Sequence, residues 1–410
     1  MDRLCADQAA YTIIRDLEPD LLEALVRVIG FSQFLFNLCI RHPEYIHCIG
    51  KPLSTNTAEL SDLDQLRLYK YRELLKITSL DLSLACPYIN ILSGLSQLAV
   101  DVINQAVRIL PGGQEAAKSL TILALGKLGA NELNFSSDID LIYVTVNPGD
   151  SISEYQELQQ QLIKFIRLLN SSLEQRTPEG FLYRVDQKLR PWGSSGPLCM
   201  CLDDTENYYA AVSEPWERFA WLRACRIAGS TVIGDELMEG MRPFVYRRAL
   251  DAEDLVKFVR IKNDMDKARR RKGHWNVKVG EGGIRDIEFF VQVLQIVNAG
   301  TNERLQSTNT VSVMAELCRA GHITETEHDE LLDSYLFLRR LENHLQMLDE
   351  RQTHDLPDDK GRRHVIARSM MPHATSEQQA LDNFEDNLIA CQATAKMYFD
   401  RILPGDRAVE

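Results

Sequence analysis

Two aspartates one residue apart, Asp138 and Asp140, open the apolar run DIDLIYVTV in the longer string GKLGANELNFSSDIDL. On a β-strand residues i and i+2 point to the same face, so both carboxylates would look the same way. Side by side they repel unless a cation sits between them. Magnesium suits them, because it takes one or two carboxylates and fills its octahedron with water and phosphate oxygens. Two such ions could hold the attacking and leaving oxygens of an in-line displacement at phosphorus, with Mn2+ as an alternative ion. Asp186, at the end of FLYRVD, is placed to supply a third carboxylate from a neighbouring strand and to help deprotonate a nucleophile. Taken alone, the pair also reads as a turn cap followed by a solvated strand end.

The residues before the pair offer small side chains, free N–H groups and hydroxyls for a phosphate: Gly126, Gly129, Ser136 and Ser137. Lys127 reads equally as a phosphate contact or as a solvated charge.

Elements must hold these residues in place. Thr121–Gly126 and Asp138–Val146 read as buried strands, Phe181–Asp186 as a third and Pro197–Cys201 as a fourth. Between the second and third, Tyr155, Leu158, Leu162, Phe165, Leu169 and Leu173 share one helix face. Strands and helix together make a small α/β unit. Before it, from Leu21 to about Leu110, apolar residues recur at threes and fours until Pro111-Gly112-Gly113 breaks the last helix. After Asp235 the helical period returns in DLVKFVRIKNDMDKARRRK, in IRDIEFFVQVLQIVNAG, in Glu325–Glu350 and near Leu381–Ile402. Tyr335, Leu338, Leu341, Leu345 and Leu348 give the long segment the seam of an antiparallel bundle. The expected fold is α+β and mostly helical: an N-terminal helical region over residues 1–110, an α/β core with a small mixed sheet over 111–235, and a helical bundle over 236–410.

With 410 residues the chain has room for two or three cores. A net charge of -13 opposes broad neutralisation of a nucleic-acid backbone, so nucleic acid is not an expected partner. The nine cysteines show no CxxC pair and no zinc spacing, as in a cytoplasmic protein with reduced thiols. There is neither a signal-peptide pattern nor an apolar run of membrane-spanning length. The histidines are scattered, and none is assigned to a metal. Lys267–Lys272 reads as cations at a helix C-terminus, or as a contact for an acidic protein.

GKLGANELNFSSDIDLIY is similar to the motif of polymerase beta-like nucleotidyltransferases, and specifically resembles the glutamine synthetase adenylyltransferase (glutamate-ammonia ligase adenylyltransferase) family. YRVDQKLRPWGSSGPL, EPWERFAWLRACRIAG and NVKVGEGGIRDIEFFVQVLQ follow in the family's order, and the resemblance runs from about Gly30 onward. It implies one of two similar halves, each a nucleotidyltransferase followed by a helical bundle. One half adenylylates a tyrosine of glutamine synthetase from ATP; the other removes the group by phosphorolysis, releasing ADP. Asn134–Ser137 looks like the adenylyl-removing, N-terminal half. Ala130-Asn131 departs from the family's usual glycine and basic or polar residue, within the turn.

The resemblance puts Asp138, Asp140 and Asp186 on metal-binding positions and makes Lys188 and Arg190 candidates for inorganic phosphate or the adenylyl phosphate; exposed strand charges are the other account. WERFAWLRACR has helical spacing, so Arg223 could lean toward the nucleotide while Trp216 packs in the core. Arg285 and Glu288, one turn apart, could face the same cleft or form a structural ion pair. The implied partners are glutamine synthetase, an adenine nucleotide, inorganic phosphate and a PII-type signalling protein as regulator. Forward transfer from ATP, and a non-catalytic module sensing the PII-type protein or glutamine, remain open beside the removal reaction.

Overall fold

The computed structural model describes residues 1–53, 60–149, 151–246 and 274–402. The segment 254–272, expected to be helical and to end in the basic run Lys267–Lys272, lies outside the described residues.

The chain opens with short helices α1 (Asp2–Cys5), α2 (Gln8–Arg15), α3 (Pro19–Phe31) and α4 (Gln33–Arg41), then the long pair α5 (Leu63–Leu82) and α6 (Tyr88–Ile109), and α7 (Gly113–Ser119). Strand β1 (Leu120–Leu125) leads through the single turn α8 (Gly126–Gly129) to β2 (Ile139–Thr145); α9 (Ile152–Glu174), β3 (Val185–Asp186) and β4 (Met200–Cys201) follow. Next come α10 (Leu202–Ala211), α11 (Pro215–Trp221), β5 (Cys225–Gly229) and α12 (Thr231–Val245). Among the described residues the remaining α-helices are α13 (Ile284–Asn298), α14 (Thr310–Arg319), α15 (Glu325–Asp349), α16 (Lys360–Met370) and α17 (Glu377–Asp400). As expected, the fold is mostly helical around a small mixed sheet.

In that sheet β1 lies between β2 and β5, antiparallel to both. The far edge of β2 carries β3 at its start and β4 at its end, each parallel to it. Every residue of β1 is buried, because both faces are covered. Leu120, Ile122 and Ala124 join Ile139, Leu141 and Tyr143 in a core shared with α3 to α6 and α9. Leu123, Leu125, Ile142 and Val144 turn the other way, onto Tyr209, Trp221, Leu222 and Leu237. At roughly 1.5–3 kcal/mol for each large apolar side chain buried, the two layers fix the alternation of β2, and with it the face on which its even-numbered residues stand. The first core runs without a break from the N-terminal helices onto the sheet, across the boundary expected at residue 110.

Three expectations change. The strands expected over 181–186 and 197–201 pair only at Val185–Asp186 and Met200–Cys201. The helical spacing read into WERFAWLRACR stops at Trp221, and Cys225–Gly229 turns back as the edge strand β5 beside β1. Trp216 is only half-buried, whereas Trp221 is 2% exposed and fills the core position.

The bundle of α13 to α17 has its own apolar core around Tyr335, Leu338, Leu341 and Leu345. A capping box between Thr324 and Glu327 starts α15. The other side of α15 is polar and equally buried: Arg339, Glu342, Asn343, His344 and Gln346 are at most 1% exposed. That side packs against α5 and the turn between α8 and β2. Asn343 Nδ2 donates to Asp81 Oδ2 at 3.0 Å, and Arg340 Nε to Asp81 Oδ1 at 2.9 Å. Among the described residues no single helix is long and apolar enough to cross a membrane; α3 and α4 reach that measure only as a pair bent by 118°, and both bury side chains in the core.

Candidate active site

The turn that carries the motif is held by side chains from far along the chain. Phe135 N donates to Asn343 Oδ1 (2.8 Å) and Ser136 N to Gln346 Oε1 (2.9 Å). Asn134 Nδ2 donates to Glu342 Oε2 (2.6 Å), which also takes the Lys127 ammonium. Arg339 donates to Asn134 Oδ1 (2.7 Å) and to the Glu132 carbonyl, and Tyr335 Oη to Glu132 Oε2 (2.7 Å). Buried polar groups without partners are costly, so α15 acts as the template on which residues 132–136 take their shape.

Asp138 then precedes β2, and Asp140 is its second residue. Across the parallel pairing Asp140 stands opposite Asp186, so the neighbouring strand does bring the third carboxylate alongside. Gly126 clears the other side: its φ is +57°, and a Cβ there would lie 2.3 Å from Asp140 Oδ2. A left-handed turn and a close approach both call for glycine. Burial, then Asp186, push the Asp140 carboxyl up to about 6; Lys278 opposes, and Asp138 pushes the same way.

Each of the other two carboxylates has a cation. Arg184 Nε donates to Asp138 Oδ1 at 2.5 Å while its Nη2 reaches the Ser136 carbonyl at 2.6 Å. Lys188 donates to Asp186 through both its backbone N (2.8 Å) and Nζ (3.0 Å). Among the described residues no three acidic, histidine or cysteine groups are gathered so as to hold an ion as they stand. The chemistry of the donors nonetheless fits Mg2+ or Mn2+: three carboxylates, hard oxygen ligands, whose fields meet at Asp140. Arg184 engages only Oδ1 of Asp138, whereas Lys188 takes both oxygens of Asp186, so ion uptake would draw Asp186 away from Lys188.

The three aspartates open onto a cleft of about 610 Å3 whose walls also include Lys127, Ser137, Lys188, Lys278, Arg285, Glu342, His354 and Asp355. Acid gathers at the sheet. Bases come largely from the bundle side, where Asn276–Val279 lies beside His354–Asp355: Val277 N donates to the His354 carbonyl (2.8 Å) and Asn276 Nδ2 to Asp355 Oδ1 (2.7 Å). Glu342 is ionised: burial opposes this, but Lys127, His354 and Arg339 hold it well below the usual carboxylate range.

Several residues expected to touch phosphate stand elsewhere. Arg223 is buried, with Nη1 3.2 Å from Glu288 Oε1 and Nη2 donating to Thr310 Oγ1 at 3.0 Å. It and Glu288 form a buried ion pair, where the sequence spacing suggests Arg285 as the partner of Glu288, and neither Arg223 nor Glu288 lines the cleft. Arg190 stitches its own loop, donating to the carbonyls of Gln187, Ser194 and Gly196. Ser136 is buried against Gln346 and Arg184. Gly126 gives room to Asp140. Ser137, Lys188 and Arg285 do line the cleft. Sequence reading missed Lys278, Glu342 and His354; the string NVKVGEGG held a signal for the first, and the other two carry none locally.

A family model described as glutamate-ammonia ligase adenylyltransferase matches residues 22–239, more than half of the chain. The chain belongs to the glutamate-ammonia ligase adenylyltransferase family. A second model, described as GlnD PII-uridylyltransferase, matches residues 257–403. Among similar proteins, a bifunctional glutamine synthetase adenylyltransferase/adenylyl-removing enzyme of Thioalkalivibrio sulfidiphilus is 37% identical over 383 residues, covering 85% of this chain and 39% of that protein. Proteins of the same description from Nitrosococcus oceani and Hahella chejuensis are each 34% identical, covering 85% and 90% of this chain and 40% and 41% of their own lengths. The chain thus spans about two fifths of the length of these curated relatives. Within the adenylyltransferase family match lie the whole sheet and all three aspartates.

Proposed function

We propose that this chain removes adenylyl groups from a tyrosine of glutamine synthetase by phosphorolysis, with inorganic phosphate as acceptor and ADP as product, in the cytoplasm. The observation that carries the reading is the register of Asp140 against Asp186, with Asp138 two residues before, at the mouth of a cleft faced by Lys278 and Arg285. Bound there, Mg2+ or Mn2+ would neutralise charge developing on the phosphoryl oxygens and orient the attacking oxygen. Lys188, Lys278 and Arg285 supply positive charge for two phosphates. Arg184 keeps Asp138 and the Ser136 carbonyl in one arrangement. Asp140, crowded by two carboxylates, is the group best relieved by a cation.

The direction rests on the resemblance of Asn134–Ser137 to the adenylyl-removing half, and the substrate on the printed names of the relatives. A PII-type protein as regulator is supported by the match of residues 257–403. The test is product analysis: adenylylated glutamine synthetase, Mg2+, phosphate and this chain should give ADP, and Asp140→Asn should abolish it. Labelled AMP passing from ATP to unmodified glutamine synthetase, without ADP release in the first assay, would replace the reading by forward transfer.

A further inference from the structure

His354 is isolated in sequence but not in the fold. Its Nδ1 lies 2.9 Å from Glu342 Oε1, and Glu342 has no exposure at all. The same carboxylate holds Lys127 and Asn134 through its other oxygen. The backbone at this residue is fixed too, because the His354 carbonyl accepts from Val277 N. Nδ1 is buried, and its 2.9 Å contact with Glu342 Oε1 is an ion-pair distance rather than an aligned hydrogen bond; 20% of the side chain is exposed, and the residue lines the cleft of the three aspartates. Among the described residues nothing is bonded to Nε2. A carboxylate beside a buried Nδ1, on a ring that lines the cleft, is the arrangement that lets a histidine carry protons.

Phosphorolysis has a proton to move. Hydrogenphosphate attacks the adenylyl phosphorus: a phosphorus–oxygen bond to phosphate forms, the bond to the tyrosine oxygen breaks, and ADP leaves without the proton. The departing phenolate, whose conjugate acid has a pKa of about 10, must receive it. Building on the reading above, we propose that His354 is the proton shuttle of this site, with Nε2 taking the proton of the attacking hydrogenphosphate and delivering it to the tyrosine oxygen. Glu342 holds the ring and stabilises the transient imidazolium. Burial lowers the pKa of His354, Glu342 opposes this, and Lys278 and Lys127 lower it further, a direction that favours the proton-accepting ring. Lys127 is committed to Glu342, and Asp355 to Asn276.

The test compares two leaving groups in the full chain. His354→Ala and His354→Gln should lose roughly 10²–10⁴-fold in ADP release from adenylylated glutamine synthetase. With adenosine 5′-(4-nitrophenyl phosphate), whose leaving group needs no proton, the loss should shrink to a few-fold. An equal loss on both substrates would make His354 a structural prop and overturn the shuttle, as would full activity of His354→Gln on the protein substrate. A wild-type chain that releases no ADP would overturn the phosphorolysis reading and the shuttle together, whereas normal turnover by His354→Ala would overturn the shuttle alone.

Discussion

Gly126 and Asp140 are in contact across the mouth of the sheet: the space a side chain would need at residue 126 is filled by Oδ2 of the aspartate. Gly126→Ala should therefore act on the carboxylate more than on the fold. A left-handed alanine costs about 1 kcal/mol, which urea unfolding would register as a small shift. ADP release should fall at least about tenfold, the equivalent of a ~1.4 kcal/mol error in positioning. Unchanged turnover would mean that Asp140 need not stay where it is.

Arg223 and Glu288 neutralise each other in the interior. Arg223→Met leaves Glu288 without its nearest cation and should cost about 3–5 kcal/mol of stability, read as a lowered unfolding midpoint. If stability is unchanged and the KM for phosphate or nucleotide rises instead, Arg223 reaches the cleft after all.

Asn343 accepts from the backbone N–H of Phe135 and donates to Asp81. Asn343→Ala strands the Phe135 N–H in the interior, at about 1–3 kcal/mol for an unpaired buried N–H, while Asp81 keeps Arg340. Because that N–H lies three residues before Asp138, the rate should fall at temperatures where circular dichroism shows the variant still folded. A variant equally stable and equally active would show that the turn keeps its shape without α15.

Lys70 sits among the rings of Tyr71, Phe181 and Tyr183 and donates to the Phe181 carbonyl at 3.2 Å. Burial pushes its ammonium down to about 8, with Glu350 opposing. Below about pH 8 both folded and unfolded chains hold the proton. Between there and the ordinary lysine value the folded chain sheds a proton that the unfolded chain keeps, so stability rises with pH. Relative to Lys70→Met, the wild type should gain about 1 kcal/mol per pH unit in that window. A gap that stays flat between about pH 7 and pH 10 would mean that Lys70 remains charged.

The parts legible in the sequence were those with a long, regular period. β1 and β2 are unbroken apolar runs flanked by turns, and α9 and α15 repeat their apolar residues at threes and fours; Asp138, expected in the strand with Asp140, stands just before β2, and both line the cleft. β5 escaped because it is short, lies at an edge and follows directly on α11, so its few apolar residues continued a helical count. Arg223 and Glu288 lie 65 residues apart, and nothing local in either stretch announces a partner that distant. His354 looked solitary for a similar reason: its neighbour Glu342 belongs to the preceding helix, on the other side of a turn that begins with Glu350 in left-handed conformation. Asp186 is read from the end of its strand and from the shared motif together; that strand is two residues long and pairs Asp186 with Asp140.

Because α15 supplies the acceptors for the N–H groups of Phe135 and Ser136, the sheet with its aspartates is not a transplantable cassette. A fragment cut at residue 235 would keep every candidate ligand and lose the mould that shapes the turn before them. Engineering this site into another scaffold, or splitting the chain for complementation, would have to carry residues 325–349 along. By the same logic, whatever shifts the bundle by an ångström reaches the aspartates through hydrogen bonds rather than through the sheet.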